Sequence, residues 1–181
     1  LEESKCYLAA QMNFDQGIEE LLKCLEEKGE LDNTVLVIYG DHYPYGIKEQ
    51  ATLDEIVGYS DYQKYHVPFI IYDCSGEYGG EKIDTLGCTF DIYPTVCNLF
   101  GLDYSGAYTV GNDLFSDRER KVIFMDHSLL TDDFYYNSNT GSVTVLSDNY
   151  QQEELNDWLK EVEDVFHYGQ QILTSDYYSW R

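Results

Sequence analysis

The chain has 181 residues, 43% of them hydrophobic and 15% aromatic, enough to bury the core of one ordinary domain. Its 34 acidic residues against 11 basic ones leave a net charge of −23, a field that repels nucleic-acid phosphates and anionic membrane surfaces while gathering divalent cations. The longest apolar runs, such as Val67 to Tyr72, fall far short of the roughly 20 residues of a membrane-spanning helix, so no transmembrane segment is expected here. Most of the acidic residues also fit a plain solvated surface that favours solubility. The sequence begins at Leu1 with neither a basic nor an apolar leader pattern, and it reads as a soluble piece of something longer.

Leu8, Met12, Ile18, Leu21, Leu22 and Leu25 recur near helical spacing and Gly29 follows them, which predicts a helix over residues 5 to 28. Leu31-Asp32-Asn33 is a short connection into a strand from Thr34 to Tyr39. The unbroken apolar run of that strand predicts burial on both faces, as in parallel sheets. From Asp41 to Lys64 the chain is polar and tyrosine-rich, a loop with a short helix near Leu53 to Val57. Val67 to Asp73 is a second buried strand, and Ser75-Gly76-Glu77-Tyr78-Gly79-Gly80 a turn. Asp91 can cap a helix with Pro94 in its first turn, apolar Ile92, Val96, Leu99 and Phe100 on one side, and Gly101 at its end.

Val122 to Met125 reads as a third strand, and Phe134 to Tyr136 with Val143 to Leu146 as a hairpin closed by Asn137-Ser138-Asn139-Thr140-Gly141. A long amphipathic helix over 149 to 173, starting near Asp148, carries Leu155, Trp158, Leu159, Val162, Val165, Phe166 and Ile172. There is no internal repeat. The expected architecture is α/β, a mostly parallel sheet flanked by helices plus an antiparallel hairpin, with residues 1 to 181 forming a single unit.

Asp41-His42 sets a carboxylate beside an imidazole where the first strand ends, after Gly40 has allowed the backbone to turn. Those two donor types suit Zn, Mn or Fe, and since an ion takes three or four protein ligands the pair is half a site. Asp126-His127 also follows a strand, but with a shorter apolar run behind it and no glycine before it. Tyr43 and Tyr45, with Tyr39, surround the first pair and can hydrogen-bond a phosphate or sugar, although 18 tyrosines make some clustering unavoidable. His66 and His167 are read as packed or solvated residues. Gly76, Gly79 and Gly80 form no phosphate loop, because no GKS/T follows. No segment marks a nucleophile: Ser4, Ser60, Ser75, Thr85 and Thr95 fit caps and turns. Cys6, Cys24, Cys74, Cys88 and Cys97 have no metal-binding spacing and read as inert, with Cys24 and Cys97 on helical core faces.

Four ordered segments, Asp32 to His42, His66 to Tyr72, Thr89 to Leu102 and Val110 to Ser116, resemble the carboxyl-terminal half of the sulfatase-like catalytic domain of lipoteichoic acid synthases and related phosphoglycerol transferases, in the alkaline phosphatase superfamily. Gly40-Asp41-His42-Tyr43-Pro44-Tyr45 is similar to the Gram-positive, clostridial-type members. The resemblance implies that Asp41 and His42 are metal ligands for Mn or Mg, ahead of Zn. It also implies that the other ligands, a glutamate and the nucleophilic threonine, lie upstream of Leu1, so that no catalytic nucleophile is in this chain. The implied parent is anchored in the cell membrane with this domain outside. It would move a glycerol phosphate head group from a lipid through a phospho-threonine, with the rest of the catalytic domain as the chain's partner. The isolated chain is then expected to be inactive. A sulfatase or phosphoethanolamine transferase of the same superfamily is the alternative, and a non-catalytic binding module needing no metal is a further one.

Overall fold

The computed structural model describes residues 2–57, 62–106 and 109–180. Two compact units make up the chain, Leu1–Lys82 and Ile83–Arg181.

In the first unit, helix α1 (Glu2–Lys28) leads into strand β1 (Val35–Tyr39), followed by helix α2 (Gln50–Val57) and strand β2 (Phe69–Asp73). Gly29 ends α1 in the left-handed conformation, φ 71°. Its N–H donates to the Glu26 carbonyl at 3.0 Å and the Glu30 N–H to that of Leu25 at 2.9 Å, the paired bonds of a Schellman stop. The half-buried side chains of α1 are Ser4, Tyr7, Ile18, Leu22 and Leu25, while Leu8, Met12, Leu21 and Cys24 are exposed. The core face thus runs one helical line away from Cys24, which corrects the expectation that this thiol is packed.

Strands β1 and β2 pair antiparallel, with Val35 opposite Asp73 and Tyr39 opposite Phe69. The expectation of a mostly parallel sheet is therefore corrected. An unbroken apolar run reports how little a strand needs water; it does not encode the direction of its neighbour. Burial on both faces is corrected too. All of β1 but Tyr39 is only half-buried, and in β2 Ile70 and Tyr72 are each 49% exposed while Phe69, Ile71 and Asp73 are half-buried.

In the second unit, a turn of 3-10 helix (Thr89–Asp91) runs into helix α3 (Ile92–Leu99). Gly101, φ 60°, stops α3 as Gly29 stops α1: its N–H donates to the Asn98 carbonyl at 3.1 Å and that of Leu102 to the Cys97 carbonyl at 2.8 Å. The carboxylate of Asp91 is buried. It accepts the Cys88 N–H at 2.8 Å and the Asn112 N–H at 2.6 Å, so it ties the loop after α3 back to the start of the helix. Thr95, fully buried, donates its hydroxyl to the Asp91 carbonyl at 2.6 Å and accepts the Leu114 N–H at 2.9 Å. Gly111 crosses so close to the 3-10 turn that a Cβ would lie 2.0 Å from the Phe90 carbonyl oxygen. Arg120 gathers the carbonyls of Asp113, Leu114 and Ser116. The segment from Val110 to Ser116 is thus a strap held on α3 by backbone-directed hydrogen bonds.

Strands β3 (Lys121–Ile123), β4 (Leu129–Thr131), β5 (Phe134–Asn137) and β6 (Ser142–Val145) form an antiparallel meander in that order. Helix α4 (Gln152–Thr174) belongs to the same core, in which Leu155, Trp158 and Val162 meet Leu129 and Phe134. Each such side chain contributes roughly 1.5–3 kcal/mol by leaving water. The expected hairpin and terminal helix are present, although α4 starts at Gln152 rather than near Asp148. Ser147 and Asn149 close a turn instead, the Asn149 N–H donating to the Ser147 hydroxyl at 3.0 Å.

Candidate functional site

Gly40 follows β1 and sets the position of the pair behind it. Its N–H donates to the Pro68 carbonyl at 3.0 Å, and a Cβ there would meet Val67 Cβ at 2.8 Å. Close approach, not an unusual backbone angle, is what selects glycine at this point. The chain then leaves the sheet at Asp41. Buried Ile47 and Leu53 anchor the loop that follows, and the Lys48 N–H donates to Glu3 of α1 at 2.8 Å.

The side chains of Asp41 and His42 are 82% and 51% exposed, with Asp41 Oδ1 and His42 Nε2 3.4 Å apart. Two ligands each about 2.1 Å from one ion have a separation of that size. His42 Nδ1 lies 2.8 Å from the Tyr43 carbonyl oxygen. A carbonyl only accepts, so Nδ1 carries a proton in this contact, and the neutral ring in that tautomer has its lone pair on Nε2, the form a metal ligand needs. Among the described residues no group of three or more His, Cys, Asp and Glu could hold a metal ion. Asp41 and His42 are thus two donors and not a complete ligand set.

Aromatic rings stand around the pair. The Tyr45 ring lies 4.5 Å from the His42 ring and 6.0 Å from Tyr43, and Tyr43 meets Tyr65 edge-on at 5.1 Å. Lys64 Nζ sits 4.9 Å from the centre of the Tyr65 ring. Sequence reasoning singled out Tyr43 and Tyr45 but not Lys64 or Tyr65, since a lysine between tyrosines in a polar loop carries no distinguishing pattern.

Asp126-His127 is built differently. Asp126 Oδ1 accepts the Ser128 N–H at 3.0 Å and Oδ2 accepts from the Asn139 amide at 2.8 Å. Partial burial pushes its carboxyl up, but the hydrogen bonds from Ser128 and Asn139 outweigh that and hold it below the usual carboxylate value. His127, φ 67°, stacks flat on Phe166 of α4 at 3.9 Å. The pair shapes the turn between β3 and β4.

The remaining candidates are structural. His66 caps a 3-10 turn, its N–H donating to the Gln63 carbonyl at 2.9 Å, and His167 contacts Gln171 on α4. Ser75 closes a turn on Asp73, and Thr95 is locked in the α3 strap. Ser60 lies outside the described residues. Burial pushes the Cys88 thiol up to about 11, with the neighbouring Asp91 carboxylate adding to it, so it is a poor nucleophile. Cys74 and Cys97 are buried, while Cys6 and Cys24 are exposed. An open cleft of about 810 Å³ in the second unit is lined by side chains that bond one another, among them Arg118 with Asn112 and Lys121 with Glu161.

No helix of the described residues is long and apolar enough to cross a membrane. Three curated relatives align over most of the chain. The lipoteichoic acid synthase-like YvgJ of Bacillus subtilis is 33% identical over 74% of this chain and 23% of its own length. Lipoteichoic acid synthase 1 of the same organism is 32% identical over 75% of the chain and 23% of its own length. The lipoteichoic acid synthase of Staphylococcus aureus is 24% identical over 94% of the chain and 27% of its own length. The chain spans about a quarter of the length of these relatives. With the family model of the sulfatases matching residues 2–102, from α1 through the strand that presents Asp41-His42 to the end of α3, the chain belongs to the sulfatase family.

Proposed function

We propose that this chain is the carboxyl-terminal part of a metal-dependent phosphoglycerol transferase of the lipoteichoic acid synthase kind. Asp41 and His42 supply two ligands to Mn or Mg, and the remaining ligands come from the rest of the catalytic domain. The observation that carries the reading is the exposed Asp41 Oδ1 and His42 Nε2 pair, 3.4 Å apart, with the imidazole tautomer fixed by the Tyr43 carbonyl. When bound, the ion neutralises negative charge developing on phosphoryl oxygens. Asp41 brings the compensating charge and His42 a neutral donor whose direction the Nδ1–H bond sets. Tyr45, whose ring lies next to that of His42, and Tyr43, whose ring lies next to that of Tyr45, contact the glycerol phosphate head group in this reading. The nucleophile is a threonine of the upstream half, in a parent anchored to the membrane with this domain outside.

Names of the relatives support phosphoglycerol transfer over sulfate-ester hydrolysis, the second reading, which the matched family's own name keeps in view. The residue at the upstream nucleophile separates them: a threonine fits the transferase, and a Cys or Ser matured to formylglycine fits a sulfatase. A direct test measures Mn uptake in a large excess of Mg, which displaces diffusely held ions, and turnover of a chromogenic phosphodiester by the full-length protein. Asp41→Ala is expected to abolish both, and the isolated 181-residue chain to show a rate no higher than buffer. Undiminished Mn uptake by Asp41→Ala refutes the assignment.

A further inference from the structure

Lys64 sits in the Gln63–Tyr65 3-10 turn, which closes through the Tyr65 N–H to the Tyr62 carbonyl at 3.1 Å and the His66 N–H to the Gln63 carbonyl at 2.9 Å. That turn holds the ammonium 4.9 Å from the centre of the Tyr65 ring. Tyr65 in turn meets Tyr43 edge-on at 5.1 Å and 87°. Tyr43 is the residue whose carbonyl fixes the His42 imidazole. A single residue, through its carbonyl on one side and its ring on the other, thus joins His42 to the lysine-bearing turn.

Two features make this more than loop packing. Lys23 faces Glu19, and Lys121, although 4.7 Å from the centre of the Trp158 ring, also faces Glu161. Among the described residues Lys64 faces the Tyr65 ring and no carboxylate within ion-pair distance. A ring attracts the ammonium through its quadrupole and accepts no conventional hydrogen bond, so the N–H donors stay available to an anion. The second feature is the field: a net charge of −23 opposes an anionic substrate, and a cation held on a turn whose Tyr65 packs against Tyr43 offsets that repulsion locally.

We infer that Lys64, held over the face of Tyr65, is a specificity-determining residue that meets the negative charge of a phosphate-bearing polyol head group at the rim of the Asp41-His42 site. The inference rests on the transferase reading. Lys64 selects for charge, Tyr65 keeps the ammonium in place, and neither takes part in the bond-making step.

Steady-state kinetics of the full-length, Mn-loaded protein, with a detergent-dispersed lipid carrying a glycerol phosphate head group, tests it. Lys64→Met is expected to raise KM about tenfold, with kcat within about twofold and Mn affinity unchanged. Lys64→Arg keeps the cation and restores KM, Tyr65→Phe keeps the platform and leaves KM unchanged, and Tyr65→Leu raises KM as Lys64→Met does. An unchanged KM in Lys64→Met, or a KM rise that Lys64→Arg fails to reverse, overturns the inference while leaving the metal assignment standing. Full Mg-resistant Mn uptake by Asp41→Ala sinks the metal assignment and this inference with it.

Discussion

Gly40→Ala tests how the sheet places Asp41-His42, because it alters neither side chain. The added Cβ would lie 2.8 Å from Val67 Cβ, 3.1 Å from its Cγ1 and 3.5 Å from Pro68 Cδ. Carbon atoms in contact prefer about 3.5–4.0 Å, so β1 and the residues before β2 must part by close to 1 Å where the Gly40 N–H donates to Pro68. Val67 Cβ is fixed to the backbone and cannot swing aside. Overpacking of this kind costs about 1–3 kcal/mol, offset by roughly 0.4–1 kcal/mol from the less flexible unfolded chain. A net loss of about 1–2 kcal/mol lowers Tm by roughly 2–8 °C for a chain of this size. Thermal unfolding of the 181-residue chain reads it directly. Val67→Gly removes the opposing Cβ, so the double variant Gly40→Ala/Val67→Gly is expected to lose less than the two singles together. A Gly40→Ala melt within about 1 °C of the parent, or strict additivity in the double variant, refutes the close-approach account.

Thr95→Val, equal in shape, removes the hydroxyl that bridges the Asp91 carbonyl and the Leu114 N–H, and is expected to cost about 1–3 kcal/mol in denaturant unfolding, more than Thr95→Ser, which keeps both bonds. Because hydrogen bonds hold the folded-state pKa of Asp126 below its unfolded value, its contribution to stability is complete above the ordinary carboxylate range and is lost as pH falls through the lowered value. Asp126→Asn should therefore flatten the acid limb of a stability-against-pH curve, and an unchanged limb counts against the assignment. With a thiol reagent at pH 8, Cys6 and Cys24 are expected to react fast and Cys74, Cys88 and Cys97 only on unfolding, Cys88 being raised to about 11. Rapid modification of all five cysteines would contradict the packing of α3.

Elements with local causes were legible in the sequence. Gly29 and Gly101 marked both helix stops because the left-handed residue of a Schellman motif is chemically distinctive. The hairpin of β5 and β6 was visible in its Asn137 to Gly141 turn. Strand β4 escaped notice: its three residues are too few to show alternation, and Ser128 before it and Asp132 after it made the stretch look like surface although Leu129, Leu130 and Thr131 are all buried. The antiparallel pairing of β1 and β2 was equally hidden, since it depends on the path of a long intervening segment. At the site, the Asp-His dipeptide occurs twice; the preceding glycine and longer apolar run single out the first copy, and tertiary context shows how differently the two are built. Asp126 turns its carboxylate onto Ser128 and Asn139, whereas the Asp41 carboxylate faces His42 and solvent.

That exposure also decides how a metal measurement must be read. An excess of 23 negative charges draws divalent cations to the whole surface, so Mn accumulation by itself says nothing about Asp41 and His42. The chemistry of the donors separates the two contributions. Carboxylates bind Mg, Ca and Mn through oxygen with little preference, whereas an imidazole nitrogen favours Mn over Mg or Ca. A large excess of Mg should therefore displace the diffuse fraction and leave an Mn-selective remainder in the full-length protein. His42→Gln removes the nitrogen donor and adds no charged group, so it should erase the selective remainder and leave the diffuse fraction intact. Raising the salt concentration should do the reverse, since screening acts on the field and far less on direct coordination. If His42→Gln and added salt instead deplete the same pool, the bound Mn is a counter-ion cloud and the strand end is no metal centre.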